Sequence, residues 1–491
     1  MSLAKKIASS TFSQVLAKFL IAGLSIISVK FITTYLGTAG YGRYAVIYEM
    51  MAFSGIVADF GFFHIALREI GKNLESVKRI LSNILSMRLI LSIFAALVTF
   101  GIVFFFTSYD HDTVKMGLVI ALGTATIGLM GTTVTAVLQV HLRMTFAAIV
   151  QIIGKIVMII YIWYAVQNDL GFLHMLYAGL FGSILIFLLN YAYALRFSTI
   201  TLGFDFKLWK KLLKETYPMG LALIFYNVAL RAPILMLDRI VKDESLTGMY
   251  GVAQRIIEVM IFIPIAFMNS VLPSVSRFIH EATESATEKL HKTIQHSFDF
   301  LNALSLPIIA GGIVVAPEII TVISAESFAK SHYIFQILIS MIFFYYLSTF
   351  FGYLLFAYNK QMLYMKSNLI AAIATILCGG LLTYYLAKQN MGEYGALSAH
   401  ILAELVSMTV SYYFLRKLLT KAISFKNLWR MILASGLMYV VLIYLKSIIQ
   451  DHSAVFVLGV SVAVGSIVYV LALFLFKALP FKELREYIFK K

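Results

Sequence analysis

The sequence predicts an all-α polytopic membrane protein. About 14 transmembrane helices are expected, as two pseudo-symmetric six-helix bundles plus two C-terminal helices. Three observations predict it. Of 491 residues, 60% are hydrophobic and only 13% charged, with mean hydropathy +0.88. A soluble chain carries roughly 25% charged residues, and no soluble core hides so much apolar surface, so lipid must be the solvent for most of the chain. Apolar runs long enough to cross a bilayer recur from end to end. A motif near the start returns 206 positions later. The composition excludes a secreted domain, a cytosolic enzyme and a single-span anchored protein. It disfavours an outer-membrane barrel, whose alternating strands give a weak apolar signal. Cys378 is the only cysteine, so neither an intramolecular disulfide nor a Cys/His metal cluster can form.

Taken in order, the expected spans lie near 12–34, 44–66, 80–107, 116–140, 146–166 and 171–194. A second set lies near 217–240, 248–272, 293–317, 332–358, 362–387 and 394–415, and two more near 428–446 and 453–476. Most carry Leu, Ile, Phe and Val all round rather than along one stripe, as lipid-facing helices require. The first is the least apolar, with Lys18 and Lys30 inside it. Although Lys5 and Lys6 resemble a charged leader, the following run is too long and no small-residue cleavage site closes it. The first helix is therefore expected to be retained.

The basic residues orient these spans. With the N-terminus placed in the cytoplasm, 26 of the 40 Lys and Arg fall in cytoplasmic segments, 7 in outer loops and 7 within spans. This bias puts both termini inside. It also accounts for the net charge of +16 without nucleic acid. Two cytoplasmic links are long. In 195–216, Lys207, Trp209, Lys210, Lys211 and Lys214 surround Leu208, Leu212 and Leu213, a basic amphipathic pattern suited to the inner leaflet. In 273–292, Glu281, Glu284, Glu288, Lys289 and Lys292 suggest a helical extension of the eighth span.

The repeat pairs Gly42-Arg43-Tyr44-Ala45-Val46 with Gly248-Met249-Tyr250-Gly251-Val252; Leu138 and Arg143 pair more weakly with Leu355 and Lys360. Both matches join spans of the same direction, which implies a pseudo-two-fold axis along the membrane normal and a path between the halves. The expected organisation is an N-terminal half at 1–194, the amphipathic link at 195–216 and a C-terminal half at 217–415. Two additional helices and a basic cytoplasmic tail occupy 416–491.

The stretch from Tyr35 to Tyr44 resembles the L-G-x-x-x-Y-G-x-Y signature of polysaccharide flippases. These belong to the multidrug/oligosaccharidyl-lipid/polysaccharide exporter superfamily. Asp59-Phe60-Gly61 with Ala66-Leu67-Arg68-Glu69-Ile70 resembles that family's second-helix motif. Asp238-Arg239 with Gly248, Tyr250 and Ala253 is similar to its turn between the seventh and eighth helices. The length and doubled six-helix plan fit along the whole chain. The resemblance implies a bacterial cell-membrane transporter, not an enzyme, that moves isoprenoid-diphosphate-linked oligosaccharides to the outer leaflet for cell-surface polysaccharide assembly.

Seven basic residues sit within spans: Lys18, Lys30, Arg88, Lys155, Arg231, Arg255 and Lys366. Each costs about 2.5–3.5 kcal/mol at mid-membrane, so those retained face a wet cavity or a partner. Lys30 and Lys366 lie near span ends, where their stems can snorkel. Gln14 precedes Lys18 by four, Gln151 precedes Lys155 by four and Asn227 precedes Arg231 by four. Amide and cation then share one helix face, which offers sugar-hydroxyl contacts beside a phosphate charge. The competing reading is a polar stripe holding helices together. The substrate-binding set is therefore Lys18, Arg88, Lys155, Arg231 and Arg255 with Gln14, Gln151 and Asn227. Glu49, Asp59, Glu258, Asp299 and Glu404 also lie in spans. Asp59, Glu258 and Glu404 are candidates for structural pairing or a coupling cation. Arg255 and Glu258 are close enough to neutralise each other, and His64 and His400 are of a type that titrates near neutral pH.

No phosphate-binding loop occurs, since Gly154-Lys155 lacks the upstream glycine. No metal site or cofactor is expected, and nucleic acid is not an expected partner. A cation-coupled drug exporter on the same fold would favour carboxylates over seven cations. A membrane enzyme of polysaccharide polymerisation would carry a large outer loop, and all outer loops here are short. The expected partners are the lipid-linked oligosaccharide, membrane lipids, a coupling cation and a polysaccharide polymerase. All seven prolines follow residue 217, so bending helices are expected in the second half. Pro233, Pro264 and Pro307 lie inside spans, and Pro218 is expected at a helix start.

Overall fold

The computed structural model describes residues 3–62, 65–66, 69–70, 76–106, 111–141, 143–281, 283–419 and 423–478. His64, Leu67, Arg68 and the basic tail beyond 478 lie outside the described residues. Every regular element among those described is helical. In chain order they are α1 (Leu3–Asp59), α2 (Val77–Phe106), α3 (His111–Val140), α4 (Met144–Gln167), α5 (Phe172–Ala194) and α6 (Phe206–Val241). There follow α7 (Glu244–Glu281), α8 (Glu284–Val314), α9 (Ala316–Ile323), α10 (Ser331–Leu338), α11 (Met341–Ala357) and α12 (Gln361–Ala374). Last come α13 (Gly380–Ala387), α14 (Gly392–Leu419), α15 (Leu428–Ile449) and α16 (Ala454–Leu475). Only helices keep every backbone amide and carbonyl bonded within their own segment, which hydrocarbon demands.

Among the described residues, twelve helical stretches are long and apolar enough to cross a membrane, with α10–α11 and α12–α13 each counting as one. One of them, α1, holds both of the first two expected segments. α14, which carries Glu393, Glu404, Arg416 and Lys417, holds the 394–415 segment and is not among the twelve. Among the described residues the expected segments are mainly helical, although the 44–66 segment leaves α1 after Asp59 and turns at Phe60 and Gly61.

Four features differ from the expectation. The loop anticipated between the first two spans shrinks to one residue: Gly37, at φ 63° and ψ −173°, separates two helical arms of α1. That conformation is open essentially to glycine alone. The signature from Thr38 onward is therefore helical. Pro218 is not at a helix start, because α6 begins at Phe206 and runs 36 residues without a break. Half of the expected amphipathic link is its first three turns. The 332–358 segment is two helices, α10 and α11, and a π-helical turn at Thr375–Gly379 interrupts 362–387.

Packing divides the chain into two compact units. The first comprises Met1–Gly251 with the short pieces Ile323–Ala325 and Thr383–Gly392. Inside it α3 packs on α5, α4 on α1 and α5, and α1 also meets α2, α3 and α6. A buried cluster of Phe62, Leu81, Ile84, Val137, Leu138 and Leu212 ties α2, α3 and α6 together. The second unit holds the remainder. There α8, α15 and α16 pack together around Met431, Met438, Leu442 and Tyr469, and α11 packs on α8. The Tyr469 hydroxyl donates to Ala303 O at 2.9 Å. Lys446 binds Glu318 at 3.0 Å and Val314 O at 2.9 Å, which satisfies the last carbonyl of α8.

Candidate functional site

The intramembrane cations of the first unit fall into two kinds. Arg88 and Arg231 are enclosed. Arg88, on α2, is 2% exposed. One guanidinium nitrogen, Nη2, donates to Asp59 on α1. The other, Nη1, donates to Thr133, to Thr132 at 3.1 Å and to Leu129 O at 3.3 Å on α3. The cation thus clamps three helices. Arg231, on α6, donates to Glu49 of α1 and to its own helix neighbour Asn227 at 3.4 Å. The i to i+4 amide–cation spacing is real, but here the amide helps hold the cation toward a carboxylate. A bonded counter-charge offsets part of the desolvation cost that an isolated buried charge would suffer in full.

The second kind is more accessible. On α1, Gln14 is half-buried and Lys18 exposed; on α4, Gln151 is exposed and Lys155 half-buried. α1 and α4 pack against each other. The Lys155 ammonium lies 3.6 Å from Met158 Sδ. Each of these helices therefore presents one amide and one ammonium at a single-turn interval. Lys30 instead donates to Ser324 O, and Lys366 of the second unit is exposed near the start of α12.

In the second unit, Arg255 Nη1 and Glu258 Oε2 are 2.6 Å apart on α7. Glu404, buried on α14, accepts from Ser348 of α11 at 2.7 Å. Around it Ser407 donates to Asn368 at 3.2 Å, and Ser367 meets Ser411 at 2.8 Å and Ser407 O at 3.0 Å. His400, Glu404, Ser407 and Ser411 recur every three or four residues, so one face of α14 is polar and buried. Asp299 on α8 accepts from Gln295 at 3.0 Å and Asn427 at 2.9 Å. Among the described residues no group of three or more His, Cys, Asp or Glu could hold a metal ion.

Sequence reasoning missed one junction within the first unit. The two copies of the repeated motif pack on each other. A side chain on Gly42 would strike Glu244 O and the Gly248 amide; one on Gly248 would strike Thr38 O and the Gly42 amide. Glu244 stands to Gly248 as Thr38 stands to Gly42, so the two contacts are reciprocal, the mark of a local two-fold. Thr38 and Ser245 hydroxyls meet at 3.1 Å and Arg43 binds Glu244 at 2.9 Å. The signal was present in the repeat, which puts a glycine at the same place in each copy, Gly42 and Gly248, and glycine lets helix backbones approach closely.

A family model described as "Polysaccharide biosynthesis protein" matches residues 7–279. A search of curated proteins finds no match. Among solved structures, one described as "Lipid II flippase MurJ, inward closed conformation" is 14% identical. It aligns over 97% of this chain and 99% of its own, with TM-score 0.74. An inward-facing multidrug resistance MATE transporter of the MOP superfamily is 14% identical over 82% of this chain and 94% of its own, at TM-score 0.61. A MOP superfamily transporter from Pyrococcus furiosus, 13% identical, covers 84% of this chain and 93% of its own at 0.53. These likenesses establish the fold, a multi-pass membrane architecture found in flippases and exporters.

Proposed function

Because the chain belongs to the polysaccharide biosynthesis protein family, we propose that it flips isoprenoid-diphosphate-linked oligosaccharides from the cytoplasmic to the outer leaflet of a bacterial plasma membrane. Both termini are cytoplasmic in this reading, and a polysaccharide polymerase receives the product. The two halves, 1–194 and 217–415, alternate access between the leaflets. A diphosphate needs cations, sugars need hydrogen-bonding amides, and the lipid tail can stay in the bilayer.

The observation that carries the reading is the pair of amide–ammonium faces on α1 and α4. Lys18 and Lys155 supply phosphate contacts there, beside Gln14 and Gln151 for sugar hydroxyls. Arg88 and Arg231 of the first unit, bonded to Asp59 and Glu49, and, separately, Arg255 of the second unit, bonded to Glu258, are further cations held in reserve. Their carboxylates keep the field near neutral until an anionic substrate competes for the guanidinium. Asn227 positions Arg231.

Purified protein in liposomes, given lipid-linked diphosphate sugars, tests this. Substrate should appear on the far leaflet, and Lys18→Gln with Lys155→Gln should slow its appearance by about 10-fold or more, as expected for loss of two charge-assisted phosphate contacts. Failure of every candidate lipid-linked sugar to cross would overturn the function. Normal transport by the double variant would overturn the residue assignment.

The buried Glu404 network supports a second reading, a cation-coupled exporter on the same fold. Carboxylate burial suits a site that exchanges a proton or cation during transport. Efflux of cationic dyes driven by an ion gradient, with no movement of lipid-linked sugar, would favour it.

A further inference from the structure

Between α5 and α6 the chain runs extended along α2, and the way it is tied down fixes which side chains face outward. Thr201 N donates to Ser82 Oγ at 3.1 Å, Gly203 N to Ser86 Oγ at 2.9 Å and Asp205 N to Asn83 Oδ1 at 2.7 Å. Every second amide from 201 to 205 is therefore bonded to α2. Arg79 adds two bonds to the Asp205 carboxylate, and the Trp209 indole donates to Asn83 at 2.8 Å. In an extended chain alternate residues face opposite ways. Leu202 and Phe204 face outward, 56% and 58% exposed, and Phe206, the first residue of α6, is 71% exposed beside them. The bonds to α2 at 201, 203 and 205 hold Leu202 and Phe204 on the outer side of the strap.

The strap is bonded to α2 between Arg79 and Ser86, the first three turns of a membrane span. That places it at the boundary of hydrocarbon and headgroups. Directly after it, Lys207, Lys210 and Lys214 share one exposed face of α6. Lys211 is directed elsewhere, 3.0 Å from Glu69.

We propose that residues 202–214 form a fixed docking surface for anionic phospholipid of the inner leaflet. Leu202, Phe204 and Phe206 sit among the upper acyl carbons, and Lys207, Lys210 and Lys214 hold the phosphates. Charge complementarity and depth argue for this occupant. Apolar side chains beside a row of ammonium groups match the two chemistries of an anionic leaflet, whereas a soluble acidic protein would not need three inserted apolar groups. The proposal rests on the cytoplasmic placement of this link but not on what the protein transports.

Trp209 is the natural reporter, with ring centroids 6.0 Å from Phe204 and 5.2 Å from Phe206. The other two tryptophans, Trp163 and Trp429, are exposed on α4 and α15 and can be changed to Phe. The full-length protein would be reconstituted in phosphatidylcholine vesicles titrated with chain-brominated phosphatidylglycerol or chain-brominated phosphatidylcholine. Brominated phosphatidylglycerol should half-quench Trp209 at a mole fraction at least about threefold lower, given roughly a fivefold preference available per surface lysine. Lys207→Gln, Lys210→Gln and Lys214→Gln together should erase the preference. Leu202→Ser with Phe204→Ser should weaken quenching by both lipids alike. In the unmodified strap, raising salt to about 0.5 M should also shrink the preference, a control independent of any folding defect. Equal quenching by the two headgroups, or no quenching by either, would overturn the proposal. Transport is not read, so loss of the flippase assignment would leave the result standing.

Discussion

At the scale of single residues, the enclosed ion pairs make the sharpest predictions. Arg88 is bonded to Asp59 and to two threonines of α3. Asp59→Ala leaves the guanidinium buried without its counter-charge and should destabilise the protein by about 3–5 kcal/mol. Replacing both members by apolar residues, Asp59→Leu with Arg88→Met, should recover most of that loss. Thermal unfolding in detergent measures both, and equal losses in the single and double variants would show that the charge is not what matters. Asp205 predicts a pH effect. The Arg79 guanidinium, and then the Leu208 amide that it caps, hold its carboxyl below the usual range. A depressed folded-state value means the carboxylate's contribution is complete above the unfolded value of about 3.9 and fades as pH falls below it. Trp209 emission should therefore stay constant from neutral pH to about 5 and change only in stronger acid. A transition near pH 7 would mean that another group ties the strap.

At the scale of elements, the crossing of the two repeated motifs is the feature with mechanical consequence. Backbone meets backbone where Gly42 faces Glu244 and Gly248 faces Thr38. Nothing flexible stands in the way that could yield to a larger residue, so Gly42→Leu should force the helices apart. In a Cys378→Ser background, Thr38→Cys and Ser245→Cys should form a disulfide, because the native hydroxyls meet at 3.1 Å. Adding Gly42→Leu should cut that cross-linking severalfold. If the junction opens during transport, the disulfide should arrest flipping and a reductant should restore it. Flipping that continues with the disulfide intact would make the junction a fixed hinge. Pro233 lies two residues beyond Arg231 within α6. Its missing amide and the clash with the preceding turn permit a bend that would shift this cation. Pro233→Ala should slow transport if that bend changes during the cycle, and transport at the native rate would assign it a constant shape.

At the scale of the whole molecule, the distribution of basic residues predicts that Cys placed at positions in 195–216 is inaccessible to a membrane-impermeant thiol reagent outside intact cells. Strong labelling would invert the topology. α6, at 36 residues, is about 54 Å long and exceeds the thickness of a bilayer with its headgroups, so part of it must lie beyond the hydrocarbon. Composition and apolar run length determined the class and the approximate places of the spans, because solvation by lipid acts on each segment locally, while the family was legible only in the motif resemblance around Tyr35–Tyr44, Asp59 and Asp238. The Arg255–Glu258 pair was legible for the same kind of reason, since partners three apart meet on any helix. The partners of Arg88 and Arg231 were not. Asp59 and Glu49 are 29 and 182 positions away, and sequence leaves the depth and rotation of each helix against its neighbours undetermined. The 195–216 link shows the same division. Its basic amphipathic character follows from local spacing. That its alternate amides lie on α2, with Leu202 and Phe204 outward, follows from Ser82, Asn83 and Ser86 more than a hundred positions earlier. Hydrogen bonds of that range exist only once the helices have packed, and so only the tertiary structure decided them.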